Sequence, residues 1–278
     1  MHDALSPTAE EAVQAWGERV RGNREQAERV REAPERPDFY APIASVFAAD
    51  PRRTDEPALD LLRSMVQPGE TWLDIGAGGG RYALPLALLA NEVIALDPSG
   101  GMLDVLRASM EEHDVRNLRI VQSRWPSEEP VHADVCLIAH VGYDIEAIGT
   151  FLGAMEASAR RMCVAVLLAR SPASAAEPFW PAVHGERRVP LPALPEFLAL
   201  LLARGTLFEV RLGARPPLGY PSIDALVAFL RQQLFVEPGS ARDWLLQDVA
   251  RDQVREADGR FWISSDSTPL GVVTWKPG

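Results

Sequence analysis

The chain has 278 residues, 47% of them hydrophobic and 24% charged, a balance that suits a folded globular protein and excludes disordered, collagen-like and low-complexity classes. Its net charge is −11, and because Lys276 is the only lysine, 27 of the 28 basic residues are arginine. An acidic chain is a poor match for a phosphate backbone, which is gripped by clustered positive charge, so no nucleic-acid partner is expected.

In chain order, the sequence starts Met1-His2-Asp3-Ala4 and soon carries Glu10 and Glu11, without the basic start and apolar middle of a secretory leader. Thr8 and Glu11 have the spacing of a capping box, and Val13, Trp16, Val20, Ala27 and Val30 recur on one face of the helix it would open. The opposite face mixes Glu18, Arg19, Arg21, Glu25, Arg29 and Glu32, a solvated surface of weak ion pairs. Pro34 and Pro37 end this helix, and a short segment, 38–49, adds Phe39, Tyr40 and Phe47.

From Pro57 apolar runs alternate with helical stretches, the pattern of βα units stacked into a mostly parallel sheet. Strands are predicted at 71–75, 92–96, 118–122, 134–139, 162–168, 207–212 and 271–275. Helices fall between them, beginning near Arg81 and Gly100 and covering 145–160 and 192–204, the last with Gly205 as its cap. Cys136 and Cys163 lie inside apolar strands, where a free thiol is a small buried hydrophobe, and they make neither a disulfide framework nor a metal pattern. The longest apolar runs, such as 83–90 and 197–203, are far below the roughly 20 residues that span a bilayer, so a cytoplasmic protein without a membrane partner is expected. Two stretches exceed a minimal alternation: the Pro-rich connection 171–191, and 216–259, which inserts two helical segments before the last strand.

The chemistry-bearing motif is Trp72-Leu73-Asp74-Ile75-Gly76-Ala77-Gly78-Gly79-Gly80-Arg81, a strand that runs into a glycine-rich turn and then a helix. Gly76 permits the turn, Gly78 lets the backbone approach a ligand, and Gly80 allows close packing at the helix start. The dinucleotide pattern G-x-G-x-x-G fails at Arg81, while Asp-x-Gly-x-Gly-x-Gly is complete. The second strand runs into Asp97, 21 residues after Gly76, where a carboxylate can accept both hydroxyl hydrogens of a ribose. Read separately, Asp74 and Asp97 are equally strand-end turn residues that satisfy nearby amides.

Together with Asp97-Pro98-Ser99-Gly100-Gly101-Met102-Leu103, these residues make the chain resemble the class I S-adenosylmethionine-dependent methyltransferases from 57 to about 212. The resemblance implies an α/β fold, a Rossmann-like seven-stranded mostly parallel sheet with helices on both faces, carrying an N-terminal helical cap. It divides the chain into a cap over 1–55 and a methyltransferase domain over 56–278, with the helical insertion at about 216–259. It also implies S-adenosylmethionine as cofactor, with the loop Gly76, Ala77, Gly78 and Gly80 around its methionyl part. Asp74 would orient the amino group, Asp97 hold the ribose, and Pro98 or Met102 pack on adenine. Where the family often carries an acidic residue after the third strand, this chain has Ser123-Arg124-Trp125, leaving Ser123 and the backbone near Arg124 to meet the adenine edge, with Trp125 either a cover for the ring or a core residue. Ala139, His140 and Tyr143, after the fourth strand, fall where the resemblance puts residues against the reacting methyl; His140 is either a base or a packed histidine.

Both long connections leave the carboxyl ends of strands, where open α/β sheets bind ligands. Trp180, His184 and Tyr220, with Tyr40 from the N-terminal segment, are therefore expected to line a closed chamber for a small-molecule acceptor, or else to form only the core of the cap. The reading is a methyltransferase acting by direct displacement on a small molecule. The alternatives are a non-catalytic binding protein on this fold and an NAD-dependent oxidoreductase, the latter disfavoured by Arg81 and Asp74. No metal site is expected, and the sequence leaves the oligomeric state open.

Overall fold

The first helix is closed as its sequence dictates: the Thr8 hydroxyl accepts the Glu11 amide while the Glu11 carboxylate accepts the Thr8 amide, opening α1 (Ala9–Val30). The computed structural model describes residues 7–34, 38, 41, 44, 48–54 and 56–278. After α1 come α2 (Pro57–Met65), β1 (Thr71–Ile75), α3 (Ala83–Ala87), β2 (Glu92–Asp97), α4 (Gly100–Glu112), β3 (Leu118–Gln122), β4 (Ala133–Ala139), α5 (Ile148–Ser158) and β5 (Ala159–Leu168). A 3₁₀ segment (Pro172–Phe179) leads into α6 (Trp180–His184), followed by α7 (Leu194–Ala203), β6 (Phe208–Arg215), β7 (Gly219–Tyr220), α8 (Ile223–Leu234), α9 (Ala241–Gln253), β8 (Arg255–Ala257), β9 (Arg260–Trp262) and β10 (Thr268–Trp275).

Seven strands form one sheet in the order β3-β2-β1-β4-β5-β10-β6. The strands pair in parallel except β10, which runs antiparallel between β5 and β6. Strand order reverses between β1 and β4, so their carboxyl ends open the crevice in which such sheets bind ligands. Alternation within the strands sorts side chains to two faces: Leu73, Ile75, Cys136 and Ile138 join a core with α1, α5 and α7, while Trp72, Val135 and Leu137 join one with α2, α3 and α4. Trp16 of α1 is buried in the first of these and donates its Nε1 hydrogen to the Ile145 carbonyl at 3.0 Å.

A third core, built from Val30, Phe179, Trp180, Tyr220, Leu226, Leu230 and Leu246, gathers the end of α1, the 171–191 connection and the insertion into one cap. The insertion holds α8 and α9 as expected, but also a small sheet, β7-β9-β8, that the sequence reading did not foresee. The helix expected near Arg81 is the five-residue α3, and β5 starts at Ala159, so α5 is shorter than the predicted 145–160. Among the described residues no helix is long and apolar enough to cross a membrane.

Candidate functional site

The loop after β1 is tied to the end of β2, since the amides of Gly76 and Ala77 both donate to the Leu96 carbonyl, at 2.7 and 3.1 Å. Gly76, Gly78 and Gly80 all have positive φ, at 76°, 54° and 86°, and their surroundings separate three roles. A Cβ on Gly76 would lie 2.5 Å from Val141 Cγ2, and one on Gly80 would lie 2.4 Å from Leu106 Cδ1. A Cβ on Gly78 meets nothing closer than Met102, at 3.9 Å. Gly80 therefore carries the close helix packing, while Gly78 presents bare backbone to open space.

Two carboxylates flank this loop. Asp74 is 2% exposed and its Oδ1 has no hydrogen-bond partner. Burial, and then repulsion from Asp97, push its pKa up to about 7, against the Ala83 amide. Asp97, 8% exposed, accepts the amides of Gly78 and Ser99, each at 2.8 Å; burial raises its pKa while those amides oppose the rise. A third carboxylate, Asp38, accepts the Ser99 hydroxyl at 2.8 Å and the Gly101 amide at 3.1 Å, so the N-terminal segment passes over the start of α4.

An orphaned, buried carboxylate oxygen beside exposed backbone suits a cationic amine, and the adjoining half-satisfied Asp97 suits a diol. The cradle thus fits a nucleoside joined to an ammonium group. On its β2 side Met102 is buried and Pro98 exposed. After β3 the Ser123 amide donates to the Asp97 carbonyl at 3.2 Å, its hydroxyl donates to the Arg124 carbonyl at 2.9 Å, and Arg124 itself is exposed. Trp125 is half-buried on the α5 side, donating to the Phe151 carbonyl at 3.2 Å.

At the end of β4, just past Ala139, His140 takes φ 59° and its amide donates to Val166 at 2.8 Å. Its Nε2 lies 3.3 Å from the Tyr82 hydroxyl, which donates to Glu56 at 3.1 Å; Nε2 is then the protonated nitrogen, and the buried, unpartnered Nδ1 keeps its lone pair. Burial, then the Arg215 and Arg81 charges, push the His140 pKa down to about 3, so the imidazole is neutral. The Tyr143 hydroxyl accepts the Leu168 amide at 2.8 Å, and burial pushes its pKa up, which makes it a protonated tie between the β4 loop and the end of β5.

The sequence reading missed Glu56, which binds Arg53 at 2.8 Å, Arg81 at 2.9 Å and Tyr82. A cavity of about 40 Å³ opens between Glu56, Arg81, Tyr82, Arg215 and Leu270. The expected aromatic chamber is corrected in part. Trp180 (0% exposed) packs at ring-centroid distances of 4.6 Å from His184 and 6.3 Å from Phe235, with the Arg188 guanidinium over its ring. Tyr220 is buried against Phe229, and His184 Nε2 donates to the Leu234 carbonyl at 2.9 Å. All three are taken up by the cap's own core, because the 171–191 connection folds down on α8 and α9. Tyr40 lies outside the described residues.

A family model described as "Methyltransferase domain" matches residues 73–156. An uncharacterised protein of Haemophilus influenzae is 40% identical over 80 residues, which make up 28% of this chain and 30% of that one. The ribosomal RNA small subunit methyltransferase G of Psychromonas ingrahamii is 36% identical over 66 residues, 23% of this chain and 32% of the relative. The chain therefore spans about a third of the length of these curated relatives. The solved YcgJ protein of Bacillus subtilis, 16% identical, superposes with a TM-score of 0.54 over 80% of this chain and 99% of its own, which shows the shared fold. Its motif residues thus lie inside the segment that matches the methyltransferase-domain model, and its strands, in this order, form the Rossmann-like α/β fold shared with that solved structure.

Proposed function

We propose that this chain is a methyltransferase that transfers a methyl group from S-adenosylmethionine to a small-molecule acceptor by direct displacement. The observation that carries this reading is the Asp74–Gly78–Asp97 cradle, with its orphaned Asp74 oxygen, inside the segment that matches the methyltransferase model. When bound, the cofactor supplies a methyl group on a positively charged sulfur. Asp97 accepts from the ribose hydroxyls while keeping the loop closed through Gly78. Asp74 faces the ammonium, whose charge offsets the burial that now holds this carboxyl partly protonated. Pro98 and Met102 bound the adenine, and Ser123 and the Arg124 backbone meet its edge.

His140 keeps a free lone pair at the β4 end, but its low pKa makes it a weak base. Alignment of the acceptor and exclusion of water then carry more of the rate than proton removal does. A second reading, transfer to RNA, draws on the segment shared with the ribosomal RNA methyltransferase; the net charge of −11 opposes it.

Isothermal titration with S-adenosylmethionine and with NAD, followed by assays of S-adenosylhomocysteine release with small molecules and with RNA, tests the proposal. Binding of the sulfonium cofactor and turnover on a small acceptor are expected. Binding of NAD instead, or turnover confined to RNA, overturns it, and cofactor binding with no turnover on either substrate class favours a non-catalytic binding protein.

A further inference from the structure

The cavity behind the glycine loop has a charge imbalance that the cofactor cradle does not use. Arg81 and Arg215 line it, Arg53 is held beside it by Glu56, and among the described lining residues Glu56 is the one carboxylate. Glu56 is fully engaged: its Oε2 accepts Arg53, and its Oε1 accepts both Arg81 and Tyr82. Arg53 also donates to the Arg81 backbone carbonyl at 2.8 Å, which holds its side chain against that turn, while Glu56 holds the Arg81 side chain. Arg215 has no hydrogen bond or ion pair with any described residue, and it is half-buried. In a chain of net charge −11, a half-buried guanidinium left over beside two other arginines is a local reversal of sign.

The position of this cation is defined. Arg215 ends β6 opposite Thr268 at the carboxyl edge of the sheet, where it feels the Tyr82, His140 and Tyr143 side chains. Desolvation of a guanidinium is tolerated when a planar anion is there to take its paired hydrogens. The cavity, at about 40 Å³, exceeds the roughly 10–15 Å³ needed for one water and suits a group of carboxylate size.

We propose that Arg215 seats a carboxylate of the methyl acceptor in the cavity between the start of α2, the Arg81–Tyr82 turn and the end of β6. This rests on the methyltransferase reading and narrows it to an acidic acceptor, with the anionic group anchored at Arg215 and the reacting atom turned toward His140. Tyr82, which lines the cavity, and His140, 3.3 Å from its hydroxyl, are both neutral and leave the acceptor's charge unopposed.

Benzoate and its uncharged counterpart benzamide serve as probes, titrated at constant ionic strength into the protein, alone and saturated with S-adenosylhomocysteine. Wild type is expected to bind benzoate and not benzamide. Arg215→Gln should weaken benzoate by about tenfold or more, as loss of a charged hydrogen-bond pair does, with S-adenosylhomocysteine affinity unchanged, and Arg215→Lys should restore part of the loss. Unchanged cofactor affinity also reports that the variants are folded. Equal binding of benzamide, no benzoate binding, or an Arg215→Gln variant that still binds benzoate overturns the proposal. So does an Arg215→Gln variant that loses S-adenosylhomocysteine affinity instead, because the cation would then serve the cofactor's own carboxylate. Failure of wild type to bind S-adenosylhomocysteine overturns the methyltransferase reading, while the benzoate arm on the protein alone still decides the anion site.

Discussion

Gly78 and Gly80 stand two residues apart in one loop, yet an added methyl group should act on different properties of the protein. At Gly80 the new Cβ would lie 2.4 Å from Leu106 Cδ1 and 3.0 Å from Leu84. Both leucines are fully buried, so neither can swing clear without disturbing the core behind it. Overpacking of about 1–3 kcal/mol adds to roughly 1–2 kcal/mol for a left-handed backbone, so Gly80→Ala should lose about 2–5 kcal/mol of stability. Gly78→Ala pays only the backbone term, about 1–2 kcal/mol, since nothing lies within 3.9 Å of its Cβ. That methyl instead projects into the space where a ligand would lie against bare backbone, and S-adenosylhomocysteine should bind about tenfold more weakly or worse. Urea unfolding with linear extrapolation measures the first effect and isothermal titration the second. Equal stability losses in the two variants, or full ligand affinity in Gly78→Ala, would refute this division of roles.

Three further outcomes follow from the same geometry. The native Asp74 pKa lies near 7 against an unfolded value of 3.8, so the folded state holds its proton more tightly; this residue should make stability fall as pH rises from about 4 to about 7, then level off. Urea midpoints across that range should show a shallower slope in Asp74→Asn, and an unchanged slope would assign the effect elsewhere. Tyr143→Phe strands the buried Leu168 amide and should cost about 1–3 kcal/mol while turnover per folded molecule persists. Lost turnover at unchanged stability would instead put the phenol in the chemistry. Trp180→Ala should cost about 3–5 kcal/mol by emptying the cap's core, with S-adenosylhomocysteine affinity retained; a loss of affinity at unchanged stability would mean that the ring faces the ligand.

The parallel strands were legible because each is a short apolar run bounded by turn residues, and the predicted 71–75 and 118–122 coincide with β1 and β3. The start of β5 was not, because Ala159-Arg160-Arg161 looks like the polar end of a helix; Arg161 instead pairs with Glu70 and the Met65 carbonyl. The small sheet escaped because strands of two and three residues show no period. Its one signal was Asp258-Gly259, whose φ values of 50° and 68° are those of a tight hairpin turn. In the site, the meeting of Asp74, Asp97 and the glycines at one loop could be read because their positions follow from spacing along the chain. The cluster of Glu56, Arg81, Tyr82 and Arg215 could not, since Glu56 reaches the Arg81–Tyr82 turn across the fold and Arg215 joins them only when β6 returns to the sheet beyond β10. The choice between an aromatic chamber and a cap core stayed open for a related reason: the topology placed Trp180 and Tyr220 near the carboxyl edge but could not say that α8 and α9 bury them.

Among the described residues β6 pairs with β10 alone, from Phe208↔Trp275 to Arg215↔Thr268. During synthesis at roughly 5–20 residues per second, β6 therefore leaves the ribosome several seconds before its partner exists. Through that interval Leu207, just before the strand, and Leu212 on it, still 92% and 73% exposed in the finished fold, stay unpaired, with Glu209 and Arg211 between them as charges that discourage pairing with another chain. The segment made during the wait is the cap insertion, so translation delivers α8 and α9 before β10 joins the sheet and brings the Arg215 end of β6 against Tyr82 and Glu56.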